Sequence, residues 1–245
     1  MEKDSWDILK QFTNARIALG RAGNALPTHE VLQLKMAHSR AKDAIYSAID
    51  IKALTTGFRS MQLQTITVKS EIASKHEYLI NPNKGRLLNS ESILELEQLN
   101  ISAVDLCIIV ADGLSANAVN KNAIPLLNLL LPQIKNLTIA PIIVAEYGRV
   151  ALSDSIGEIL HARIALILIG ERPGLSSPES MAAYLTYHPK SGNTDEKRNC
   201  ISNIHPEGLH LDIAAAKLSY LLNQMLIKQL SGVQLKDNFN DIYLT

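Results

Sequence analysis

Three short strings hold most of the residues that could do chemistry: Asp112-Gly113-Leu114-Ser115, Glu146-Tyr147-Gly148-Arg149-Val150 and Gly170-Glu171-Arg172-Pro173-Gly174. Each sets a carboxylate close to a glycine, and two add an arginine. A carboxylate accepts N–H donors and a guanidinium presents several, while glycine lets backbone come close to a ligand. Turn formation explains part of this: Asp112-Gly113 and Pro173-Gly174 are ordinary turn residues, and Ser177-Pro178 reads as a helix N-cap followed by proline at the first helical position. Turn chemistry does not require Glu171 and Arg172, and that pair favours a ligand at this edge.

Other chemistry finds less support. No G-x-G-x-x-G follows a strand and no Walker-type G-x-x-x-x-G-K-[ST] occurs, so dinucleotides and nucleoside triphosphates lack their fingerprint. Cys107 lies inside DLCIIV and reads as a small buried hydrophobe. Neither Cys200 nor Ser115 has a histidine and an acid at a spacing that suggests covalent catalysis, and no Cys/His cluster suggests a metal. His38 falls on the stripe Val31, Leu34, His38, Ala41, Ile45 and Ala48. Recurrence at three and four marks one buried helical face, so His38 reads as a core or interface residue.

The elements that must position the three strings follow from the same patterning. Asp105–Ala111, Thr138–Ala145 and Arg163–Ile169 are near-continuous aliphatic runs, each followed by one of the strings. Helices are expected from about Ser115 to Lys135, from near Ser153, after Ser177-Pro178, and from Asp212 to Gln229. Buried runs alternating with helices predict an α/β fold: an open parallel sheet covered on both faces. Strands of one direction bring all three strings to one rim, where ligands of such sheets bind. Before the sheet, Ser5–Gly23 and the segment after Pro27-Thr28 read as two helices. Residues 52–103 are less regular, with strand-like QLQTITVKSEI and KHEYLI and a short helix in SESILELEQL. After Thr186, TYHPKSGNTDEKRNCISNIHPEGLH reads as a long polar loop.

Bulk properties narrow the class. The chain has 245 residues, 47% of them hydrophobic, enough for one sizeable core. Lys+Arg and Asp+Glu are both 24, so no basic excess draws nucleic acid. MEKDSWDILKQF lacks the apolar core of a signal peptide, no apolar run reaches membrane-spanning length, and two isolated cysteines suit a reducing, cytoplasmic setting. Residues alone lead to an α/β ligand-binding domain with a helical N-terminal arm.

Seven strings, in order along the chain, together resemble the small (light) subunit of ethanolamine ammonia-lyase: RIALGRAG (Arg16–Gly23), LKMAHSRAKDA (Leu34–Ala44), VADGLSANAV (Val110–Val119), GRVALSDSIGEIL (Gly148–Leu160), LIGERPGLSSPESMAAYLTY (Leu168–Tyr187), RNCISNIHPEGL (Arg198–Leu209) and LSGVQLKD (Leu230–Asp237). The resemblance is weakest over residues 52–100.

It implies a subunit of an enzyme converting ethanolamine to acetaldehyde and ammonia with adenosylcobalamin. A large barrel subunit would hold the substrate, and this chain, inactive alone, would grip the cobalamin at the subunit interface in a hetero-oligomer. Residues 1–50 would form a helical N-terminal segment and residues 51–245 a Rossmann-like cobalamin-binding domain. The family keeps the cofactor's own base on cobalt, consistent with the lack of a D-x-H-x-x-G string here, so no cobalt ligand is expected from this chain. By motif, Val150, Glu171 and Cys200 are the cofactor-binding positions and no residue is catalytic. Glu171 would accept N–H bonds from the amides ringing the corrin, Val150 would offer backbone and methyl surface, and Cys200 would pack against the cofactor. The bland alternatives are a buried strand-end valine, a packed thiol, and a glutamate paired with an arginine. His38 and its helix would pack on the large subunit or the small domain. Members housed in bacterial microcompartments carry an extended tail before RIALGRAG, whereas this chain reaches Arg16 at once, which weakens an expectation of encapsulation. Two other readings stand beside this one: a stand-alone Rossmann-like enzyme using a nucleotide or S-adenosyl cofactor, and an assembly module with a purely structural rim.

Overall fold

Aliphatic runs too apolar for a half-solvated strand need cover on both faces, and a computed structural model of the chain, describing residues 5–13 and 15–239, provides it. After a 3-10 turn at Asp7–Gln11 come α1 (Thr28–Tyr46), α2 (Ile51–Ser60), β1 (Thr65–Lys69), α3 (Lys75–Ile80), α4 (Ser90–Gln98), β2 (Val104–Ala111), α5 (Ala116–Leu130), β3 (Ile142–Glu146), α6 (Leu152–Ile159), β4 (Ala162–Gly170), β5 (Met181–Tyr187), β6 (Arg198–Ile204) and α7 (Leu211–Lys228). The strands form one six-stranded sheet in the order β1-β3-β2-β4-β5-β6.

Alternation along the central strands divides the core. Leu106, Ile108 and Val110 of β2, with Ile164, Leu166 and Leu168 of β4, pack with α2, α5 and α7 on one face. Cys107, Ile109 and Ala111, with Ala165, Ile167 and Ile169, pack with α4 and α6 on the other. Cys107 is fully buried, as its apolar surroundings predict, and burial pushes its thiol pKa up.

The expected all-parallel sheet needs correction. β1, β3, β2 and β4 are parallel, but β5 pairs antiparallel with β4 and β6 antiparallel with β5, so β5 alone is reversed and the two extend the sheet beyond β4. The helix expected after Ser177-Pro178 is strand β5, and the polar loop after Thr186 contains strand β6. Ser-Pro is a local start signal, whereas Met181–Tyr187 gains ladder bonds from β4 on one side and β6 on the other. The turn before β5 is tied to α5, with Ser115 Oγ donating to the Pro178 carbonyl at 2.8 Å.

The N-terminal third departs further. In place of a helix over Ser5–Gly23 there is only the 3-10 turn, and Ala18, Gly20 and Gly23 all have positive φ, which a right-handed helix excludes. Asn14, residues 1–4 and residues 240–245 lie outside the described residues. KHEYLI is helix α3, capped by Ser74, whose hydroxyl accepts from Glu77 N. On α1 the anticipated stripe is covered only in part: Ala41 is buried, with Ala44 beside it, and Val31 and Ile45 are half-buried, while Leu34 and His38 are exposed and Ala48 lies past the helix end. Periodicity shows that a helix has an apolar side but not whether the same chain covers it. Among the described residues no helix is long and apolar enough to cross a membrane.

Candidate functional site

The carboxyl ends of β2, β3 and β4 meet on one rim, and two glycines let their loops pack. Gly113 has φ +57°, and a Cβ there would overlap the Gly170 carbonyl oxygen; a Cβ on Gly170 would overlap the Ser115 carbonyl. The contact is closed by Leu114 N donating to Gly170 O at 3.0 Å.

Asp112 sits at the end of β2, buried to 3% exposure. Its Oδ1 accepts from Gly148 N at 3.1 Å, which fixes the loop after β3. Burial raises its carboxyl pKa to about 6, against the opposing pull of Lys75 and the N–H groups of Tyr147, Gly148 and Gly113. Lys75 donates to Gly113 O at 3.4 Å, and its own pKa is lowered, chiefly by desolvation.

Tyr147 in that loop adopts φ +55°, a left-handed conformation uncommon for an aromatic residue. The turn delivers Arg149 onto the buried Tyr78 ring, its guanidinium carbon 4.2 Å from the centroid. One Arg149 nitrogen donates to the Tyr78 carbonyl at 3.2 Å, the Tyr78 hydroxyl donates to Gly148 O at 2.9 Å, and Arg149 N donates to Gly85 O at 2.7 Å. Segment 75–86 therefore braces the loop. Arg149 Nε is buried without a protein partner.

Two adjoining cavities open on this rim. One, of 230 Å³, is lined by Arg149, Val150, Gly170, Glu171, Arg172 and Tyr184 among others. The second, of 390 Å³, shares Arg149, Val150 and Tyr184 with the first and adds Arg86, Arg198 and Cys200. Val150, Glu171 and Cys200 therefore line two adjoining lobes of the rim, with Val150 at the junction, Glu171 in the smaller lobe and Cys200 in the larger.

Glu171 is held in place by the residue that precedes β5 and by β6. Its Oε2 accepts a short bond from the Ser180 hydroxyl and another from Asn203 N at 3.0 Å. Among the described residues Oε1 has no donor, and Glu171 forms no ion pair with Arg172. Cys200, exposed at the edge, faces Tyr184 across the β5–β6 ladder. Desolvation and the Glu171 charge raise the Cys200 thiol pKa, opposed by its bond with Tyr184, and burial raises that of the Tyr184 phenol.

Beneath the larger lobe Arg198 and Asp154 form a short ion pair, each side chain 2% exposed. The pair with Asp154 ties the start of β6 to α6, and Arg198 also donates to the Thr194 carbonyl at 2.6 Å, which fixes the turn that leads into β6. Burial raises the Asp154 carboxyl to about 6 even beside this cation. Asp154 Oδ1 and Arg198 Nε are buried without partners.

Sequence patterning missed several members of this cleft. Tyr184 lay in a run read as helix; read as a strand, period-two alternation puts it on one face with Ala182, toward the cleft. Arg149 stands in the Glu146–Val150 string without a pattern that marks what it packs on, and Arg86 falls in the segment with the weakest patterning.

The fold defines an α/β protein with a cleft at the carboxyl rim of its sheet. Residues 3–236 match the family described as ethanolamine ammonia-lyase light chain (EutC), and the chain belongs to that family. It is 46% identical over 237 residues to the ethanolamine ammonia-lyase small subunit of Pseudomonas putida (strain GB-1), covering 95% of this chain and 87% of that protein. The small subunit from Azotobacter vinelandii (strain DJ / ATCC BAA-1303) is 46% identical over 240 residues, covering 96% of this chain and 89% of its own length. That of Pseudomonas aeruginosa (strain LESB58) is 44% identical over 240 residues, covering 96% and 88%.

Proposed function

We propose that the chain is the small subunit of an ethanolamine ammonia-lyase and that its rim cleft grips adenosylcobalamin against a large catalytic subunit. Membership of the light-chain family supports the subunit role. The observation that carries the cofactor reading is Glu171: two fixed donors orient one oxygen, and the other is left without a protein donor at the cleft. A corrin is ringed by amides, and a carboxylate accepting their N–H groups makes charge-assisted bonds, roughly twice as strong as neutral ones. The donor set also fits the remainder of the ligand, with Val150 and the Tyr184 ring offering apolar surface and Cys200 a small polarizable side chain.

In this reading residues 51–245 are a Rossmann-like cobalamin-binding domain and residues 1–50 a helical N-terminal segment. Leu54 and Phe58 of α2 join the main core, whereas α1 buries only Ala41 and Ala44, which supports a division near residue 50. The exposed Leu32 and Met36, one turn apart on α1, suit contact with the large subunit. Bound adenosylcobalamin would supply radical chemistry, and the substrate cage would belong to the large subunit. The part of this chain is to bind and orient the corrin and to exclude water along the rim. We place the assembly in the cytoplasm.

Equilibrium titration of the reconstituted two-subunit complex with cyanocobalamin tests the site. Glu171→Ala is expected to weaken binding by about tenfold or more. An unchanged affinity would remove Glu171 from the site.

A further inference from the structure

The larger lobe of the cleft has a wall of arginines that the amide-accepting role of Glu171 does not explain. Arg86, Arg149 and Arg198 all line it. Arg149 Nε and Arg198 Nε are buried N–H groups without a partner, and buried donors of this kind are rare unless a ligand or water meets them. Arg198 is 2% exposed and its charge is already met by Asp154. Among the described residues neither Arg86 nor Arg149 has a carboxylate partner. Asp195, the acid on the same lobe, is 94% exposed and leans on Arg198. The wall therefore carries uncompensated positive charge and spare N–H donors, while the other lobe presents the spare acceptor of Glu171.

Neutral amide carbonyls could satisfy the two N–H groups but would leave the charge of Arg86 and Arg149 unmatched. A phosphodiester satisfies both requirements, because arginine binds phosphate oxygens through several N–H groups at once. The geometry points to a phosphodiester anion as the occupant of the Arg86–Arg149–Arg198 wall, contributed by the nucleotide tail of the corrinoid. The inference rests on the cobalamin reading of the cleft and extends it. The cleft then has polarity: Glu171 takes corrin amides at one end, the arginines take the tail phosphate at the other, and the cofactor can seat in only one direction.

The test compares cyanocobalamin with dicyanocobinamide, which keeps the amide-ringed corrin and lacks the nucleotide tail. Both are titrated by absorbance and equilibrium dialysis into the reconstituted two-subunit complex. Arg86→Met is expected to weaken cyanocobalamin by about tenfold and leave dicyanocobinamide within about twofold of the unaltered complex, and Arg149→Met to weaken cyanocobalamin at least as much. Arg149→Lys, which keeps the charge and loses the guanidinium fork, is expected to fall between. Arg86 is exposed, so its variant separates ligand binding from folding. Equal weakening of both corrinoids by Arg86→Met, or of neither, would overturn the arginine assignment. Glu171→Ala, expected to weaken both corrinoids alike, reports separately on the cobalamin reading; binding of neither corrinoid to the unaltered complex would overturn that reading and this inference together.

Discussion

α1 and α7 are helices of nearly equal length, 19 and 18 residues, yet they serve the molecule differently. α7 buries Ala214, Ala215, Leu218, Leu221, Leu222 and Met225 against one face of the sheet. α1 buries Ala41 and Ala44 and leaves Leu32 at 60% and Met36 at 51% exposure. That sheet face is already covered by α2, α5 and α7, so no apolar wall remains for α1. The arm is tied down at its end by polar bonds instead. Asn120 accepts from Asp50 N at 2.9 Å and donates to Ala48 O at 3.0 Å, and Ser47 Oγ accepts from Asn117 N at 3.2 Å. The sheet region encloses its apolar and even its charged groups, whereas the arm holds apolar surface that the described residues leave uncovered.

The comparison can be broken most forcefully from inside the sheet region. Asp154→Asn would leave Arg198 buried with only the exposed Asp195 beside it, and the loss is expected to be about 3–5 kcal/mol. Chemical denaturation should show this as a lower midpoint at unchanged slope. A midpoint close to the original would mean that the pair is not sealed from water.

Cavity formation sharpens the contrast directly. Leu218→Ala on α7 is expected to cost about 2–5 kcal/mol, and Leu32→Ala on α1 no more than about 0.5 kcal/mol in the isolated chain. Comparable losses in both would show that α1 is packed in solution. Met36→Asp should likewise leave the isolated chain's melting temperature nearly unchanged while weakening its association with the large subunit, measured by sedimentation.

The smallest expected effect concerns protons. Asp112 has its folded carboxyl raised to about 6, above its ordinary value of 3.8, so between these values the folded state holds the proton more tightly than the unfolded state. Its contribution to stability is therefore fully present below about pH 4 and lost as pH rises through about 6. Relative to Asp112→Asn, the unaltered chain should gain stability as pH falls from 7 toward 4. A constant difference across that range would show that Asp112 is hydrated or better compensated than its burial implies.

Legibility followed the same division. Asp105–Ala111 and Arg163–Ile169 read as strands because both faces of a buried strand must be apolar, and β2 and β4 match them closely. α5, α6 and α7 were legible from alternation with those runs and from their start signals. β5 was not, because Ser-Pro before it is a genuine local helix signal that the ladders to β4 and β6 override. β6 hid in polar residues because an outer strand has little burial to advertise. In the cleft, Val150, Glu171 and Cys200 follow from motif resemblance, and Tyr184 and Arg86 escape it because no local pattern marks a side chain that converges on a site from elsewhere.

The sequence by itself determined the α/β class, the central strands, the absence of a nucleotide fingerprint and the family resemblance, since these depend on residue types at short separations. Only the tertiary structure decided that β5 reverses direction and carries β6 beyond it, that Arg198 is buried against Asp154, and that Glu171 is fixed by Ser180 and Asn203 with one oxygen free. Those features depend on which distant segments share a wall, and on what burial then does to charge.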